Sequence, residues 1–93
     1  MVALEVYTDI GSKDTLIDFL FEQGFDDFFC IPCHKYASPS KLLSEKEQVS
    51  GCKDYTKVRL FLQEEEAIRL GKAMRERFVS KDIRLFYSQV HEC

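Results

Sequence analysis

The 93-residue chain has no apolar run approaching the roughly 18 residues that a membrane-spanning helix needs, so membrane insertion is not expected. Its first residues, MVALEVYTDIGSKD, hold no basic stretch, no apolar run of about seven or more and no small-residue cleavage site. The expected location is therefore cytoplasmic. Thiols stay reduced there, so the four cysteines are not read as disulfides. A concentrated basic surface is also missing. The formal charge is -3, and Lys and Arg lie scattered among acids. Nucleic-acid binders displace counterions from phosphate with dense basic patches, so no nucleic acid is expected as a partner. No Ser-His-Asp or Cys-His-carboxylate set is assembled by sequence spacing, and the chain is read as non-enzymatic. No low-complexity tract occurs, and no repeat beyond two similar β-α-β halves.

The residues present are those of a globular protein: 45% hydrophobic, 31% charged, with twelve aromatics of which eight are Phe. The length fits one domain, residues 1–93. A chain this short buries only about 60–65% of its unfolded surface, so association with further copies would help it.

Periodicity divides the chain. Val2, Leu4 and Val6 alternate with Ala3, Glu5 and Tyr7, a half-buried strand over 2–8. Ser12 is a candidate N-cap, and Leu16, Phe19 and Leu20 follow at helical spacing to Gly24, a glycine placed for a left-handed C-terminus. Residues 25–36, FDDFFCIPCHKY, read as a strand bent or bulged at Pro32. Residues 37–53 form a long polar stretch, in which LLSEKEQV has the makings of a turn or two of helix. In YTKVRLFL, residues 55–62, Thr56, Val58, Leu60 and Leu62 face one way and Tyr55, Lys57, Arg59 and Phe61 the other. A second helix spans 64–78, with acids at its start and Lys72, Arg75 and Arg77 near its end. Gly71 on its inner face reads as a place for close approach to the sheet. DIRLFYSQV, residues 82–90, is the last strand.

Two right-handed β-α-β units interleave into an α+β, ferredoxin-like βαββαβ fold, a four-stranded antiparallel sheet with two helices on one face. The other face then carries Tyr, Phe and Arg, which points to a partner surface and a homo-oligomer. On that face Lys57 and Arg59 are candidates to pair with acids of a neighbour or to bind an anion at a subunit junction.

Within the polar stretch, LLSEKEQVSG, residues 42–51, resembles the "LS…EQVxG" signature of an uncharacterised PII-like family. The topology and length resemble the PII-like superfamily as a whole. That resemblance implies a compact homotrimer whose 37–53 loop projects, senses a small ligand and touches a target protein. It also implies a link to heavy-metal efflux, so the target is expected to be a membrane transport or metal-efflux component. Leu42, Leu43 and Val49 are apolar residues in a polar loop, and Glu47, Gln48 and Gly51 complete the candidate ligand and partner loop. ATP binding does not carry over. Residues 60–70, LFLQEEEAIRL, have no glycine for a phosphate cradle and hold three consecutive acids.

CIPCH, residues 30–34, has the spacing of a haem attachment site, half a zinc site or a redox dithiol. Haem attachment belongs outside the cytoplasm, and its motif normally opens a helix. In a regular strand Cys30 and Cys33 point to opposite faces about 10 Å apart, and Cys30 and His34 share a face about 13 Å apart. Neither pair chelates one ion in that geometry, and a disulfide needs Cα atoms within about 7 Å. A bulge at Pro32 would gather Cys33 and His34, with Cys52, His91 and Cys93 available to complete a Cu(I) or zinc site, and a neighbouring subunit is a further source of ligands. The plainer reading makes Cys30 and Cys33 small buried hydrophobes. Copper chaperones of ferredoxin-like fold place CxxC after the first strand, where this chain has TDIGSKD and no cysteine.

Overall fold

The structure, a computed structural model, describes residues 1–37, 52–79 and 82–93. Leu42, Leu43, Glu47, Gln48, Val49 and Gly51 lie outside the described residues. The elements are β1 (Val2–Asp9), α1 (Lys13–Glu22), β2 (Phe29–Tyr36), β3 (Cys52–Leu62), α2 (Glu64–Arg77) and β4 (Ile83–Gln89). The strands form one antiparallel sheet in the order β2-β3-β1-β4, as the ferredoxin-like arrangement requires.

Period-two alternation separates the two sheet faces. On β1, Val2, Leu4, Val6 and Thr8 lie opposite Leu62, Leu60, Val58 and Thr56 of β3. These residues face the helices. Leu16, Phe19 and Leu20 of α1 and Ala67, Leu70 and Met74 of α2 close over them. Full burial of each such side chain contributes about 1.5–3 kcal/mol, so this one-sided layer holds the fold together. The helices meet at Phe19 and Phe78, edge to face at 5.4 Å, with Arg77 reaching Glu22 at 3.6 Å.

Gly24 ends α1 with φ of 89°, a backbone region L side chains rarely adopt. The amide of Phe25 donates to the carbonyl of Leu20 and that of Gly24 to Phe21, each at 3.0 Å. That is the Schellman pattern expected of a glycine in this position.

Five local expectations are corrected. Ser12 makes no side-chain cap, because a 3-10 turn over Ile10–Ser12 runs directly into α1. A Cβ built on Gly71 meets nothing within 4 Å, so no close helix–sheet approach requires that glycine. Strand β2 begins at Phe29 rather than at 25, and β3 begins at Cys52, inside the stretch read as loop. Finally, β2 does not bulge at Pro32. Its pairing to β3 runs unbroken from Phe29↔Arg59 through Pro32↔Thr56 to Tyr36↔Cys52. β2 is an edge strand, where a residue without an N–H is tolerated.

Candidate functional site

The unbroken register fixes the CIPCH side chains. Cys30, Pro32, His34 and Tyr36 lie on the helix side of β2, opposite Val58, Thr56, Asp54 and Cys52. Cys33 falls on the open side, opposite Tyr55. Cys30 is exposed, not buried, and its Sγ lies 3.3 Å from Thr56 Oγ1. His34 Nδ1 pairs with Asp54 Oδ1 at 3.0 Å, both side chains largely in solvent. A hydrogen bond joins Tyr36 to Cys52 and raises the Tyr36 pKa, with the charge of the Cys52 thiolate adding to the effect. His91 lies in the tail with Cys93, bordering a hollow with Met1, Asp27, Phe29 and Phe61. The candidate ligands thus distribute over two faces of β2, the start of β3 and the C-terminal tail. Among the described residues no three His, Cys, Asp or Glu side chains gather closely enough to hold a metal ion.

The open face has a denser arrangement. Glu5, at its centre on β1, sits directly opposite Arg59 and has Phe86 of β4 on its other side. Lys57 Nζ lies 3.1 Å from Glu5 Oε2, and Arg59 Nε 3.3 Å from the same oxygen. Arg59 Nε finds no hydrogen-bond partner among the described residues, so its contact is an ion pair off the hydrogen-bonding direction. The hydrogen bond to Glu5 is the main cause that raises the Lys57 pKa, against the opposing effect of burial.

Around this centre each basic side chain of the face rests on an aromatic ring. Lys35 and Lys53 lie over Tyr55, Lys57 over Tyr7, Arg59 over Phe61 and Arg84 over Phe86, at 5.1 to 5.8 Å from the ring centres. Tyr55 is buried, and its hydroxyl donates to Asp82 Oδ2 and accepts from Lys35 Nζ. Sequence reasoning reached Lys57 and Arg59 but missed Lys35, Asp82 and Arg84. The available signal was alternation, since Arg84 and Phe86 fall two apart on the side of β4 opposite Leu85.

The two ends of the face differ. At the end of β1 near Ala3 the neighbours are Phe61 and Ser88, with Phe29 edge to face on Phe61 at 6.3 Å. At the other end, near Tyr7, a trough of about 480 Å³ opens between Tyr7, Lys35, Tyr55, Arg84 and Phe86, with Cys33 on its wall.

This architecture is PII-like. A solved structure from Thermus thermophilus, described as a PII-like signaling protein, overlays with a TM-score of 0.69 at 13% identity, over 96% of this chain and 85% of that one. The chain belongs to the family called protein of unknown function DUF3240, which matches residues 1–93. No curated protein matches it in sequence.

Proposed function

We propose that the protein is a non-enzymatic PII-like regulatory module of the cytoplasm. Three copies assemble, and residues 37–53, including Leu42, Leu43, Glu47, Gln48, Val49 and Gly51, read a small ligand or a soft metal ion and contact a target protein. The observation that carries this reading is the open sheet face. A one-layer core leaves Phe29, Phe61 and Phe86 on the opposite side at 59%, 44% and 47% exposure, together with Ile31 at 40%. Large apolar side chains left exposed together on one sheet face favour covering by another chain. The likeness to a protein described as PII-like and signaling supports the regulatory part. Ligand binding would shift the loop between states, by no more than the ligand's difference in affinity for them. The family resemblance makes a membrane transport or metal-efflux component the expected target.

Size measurement combined with limited proteolysis tests this. The expected result is a three-chain particle whose cleavage between residues 37 and 53 slows when ligand or target is added. A monomer whose cleavage no effector changes would contradict it. The competing reading is a copper- or zinc-handling protein using Cys30, Cys33, His34, Cys52, His91 and Cys93. It would need ligands from outside the described residues or from another copy. Anaerobic titration with Cu(I) and Zn²⁺ separates the two. Stoichiometric binding abolished by Cys30→Ser or Cys33→Ser would favour metal handling.

A further inference from the structure

We infer that the groove between α2 and the edge strand β4, on the helix side of the sheet, binds an amphipathic carboxylate: an unbranched acyl chain whose oxyanion sits on Arg75. The regulatory reading assigns nothing to this groove, and the inference needs none of residues 38–51.

The first ground is a glycine that the fold itself does not require. Gly71 lies inside α2, where glycine costs about 1 kcal/mol against alanine. Its φ is not positive, and a Cβ built on it meets nothing within 4 Å. Neither a turn nor close packing therefore accounts for it. What the glycine leaves is space. Gly71 lines a groove of about 400 Å³, within the range of small-molecule sites, about 300–1,000 Å³. Any larger side chain at position 71 would stand in that space.

The walls are the second ground. The register sets Tyr87 opposite Leu4 and Leu85 opposite Val6, which puts both on the helix side of β4. Leu4 and Ala67 are buried beneath the groove, and Ile68 and Tyr87 stand half exposed at its rim. Among the described residues β4 pairs with β1 alone, so no further strand shelters this strip. Its lining is apolar apart from Arg75.

The two ends are the third ground. Gln89 Nε2 donates to Glu64 Oε2 at 3.2 Å, which ties the end of β4 to the start of α2. Toward the other end stands Arg75, exposed and without an ion pair among the described residues. Glu64 repels an anion and Arg75 attracts one, so a carboxylate ligand has one favoured direction. Its head meets the guanidinium fork, which suits two carboxylate oxygens, and its tail runs past Gly71 toward Ile68. From Ile68 to Arg75 the helix rises about 10 Å, room for an extended chain.

The test titrates the full chain with octanoate, hexanoate, 1-octanol and octylamine, followed by calorimetry and by the NMR signals of the Ile, Leu and Tyr side chains. The expected result is saturable binding of octanoate that perturbs Ile68, Leu85 and Tyr87 and leaves Tyr7, on the open face, unmoved. Hexanoate, two methylenes shorter, should bind about tenfold more weakly. The uncharged alcohol and the amine should also bind about tenfold more weakly or not at all. Arg75→Gln should weaken octanoate about tenfold without changing 1-octanol, and Arg69→Ala, on exposed α2 surface, should change neither. Gly71→Leu should abolish binding in a chain that still folds, because the site has open space and leucine favours a helix, as circular dichroism would verify. No saturation by octanoate up to about 10 mM would overturn the inference. So would undiminished binding to Gly71→Leu, equal weakening by Arg75→Gln and Arg69→Ala, or shifts confined to the open face. A particle that loses chains on Gly71→Leu would assign the groove to another copy and overturn it as well. A wild-type monomer would count against the regulatory reading and leave this site standing.

Discussion

Lys57 and Glu5 lie 3.1 Å apart on adjacent strands, each side chain about three-quarters shielded from solvent. The same Glu5 oxygen also faces Arg59, so one carboxylate anchors two cations of the open face. Glu5→Gln should therefore cost about 1 kcal/mol, and a chain this size should melt about 4–8 °C lower by calorimetry.

The pH dependence follows from the raised Lys57 pKa. Folding gains from the charged lysine, so the contribution is complete below the ordinary value of 10.5 and is lost as pH rises through the raised folded value. Denaturant titrations should show wild-type stability declining above about pH 10.5, with a shallower decline in Glu5→Gln. Parallel declines in both proteins would assign the loss to other groups.

Two glycines should respond oppositely to alanine. Gly71 sits inside α2 with open space where a Cβ would stand, so Gly71→Ala should stabilise by about 1 kcal/mol. Gly24 holds φ of 89°, so Gly24→Ala should destabilise by about 1–2 kcal/mol. Urea unfolding of the two variants checks both signs.

Tyr36 and Cys52 are opposed across β2 and β3, and their hydrogen bond raises the tyrosine pKa. Ultraviolet titration should find Tyr36 ionising above its ordinary 10.0 in the wild type and returning toward it in Cys52→Ala. An unchanged Tyr36 titration in that variant would remove Cys52 as the cause.

Cys30 and Cys33 point to opposite sides of an unbroken strand. Oxidation of dilute protein should yield no Cys30–Cys33 disulfide on peptide mapping, since such a bond requires the strand to leave its register. A fast, quantitative disulfide between them would show that β2 opens in solution.

Much of this fold was legible because burial follows simple periods. The alternation Val2, Leu4, Val6 and Thr56, Val58, Leu60 placed both central strands and their faces, and Gly24 marked the end of α1. Reading failed where neighbours decide. Pro32 argued locally for a bulge, but the edge position of β2 made one unnecessary. Gly71 looked like a contact glycine, yet its surroundings are empty. The CIPCH spacing drew attention to metal chemistry, whereas alternation sends its thiols apart. Arg84 and Lys35 come together only through the strand order β2-β3-β1-β4, which brings residues 49 apart in sequence to one trough. No spacing rule reaches that far.

The most direct measurement of the central claim is native mass spectrometry of untagged protein purified without chelators. The account expects a particle of three 10.9 kDa chains. A single chain carrying stoichiometric copper or zinc would contradict it.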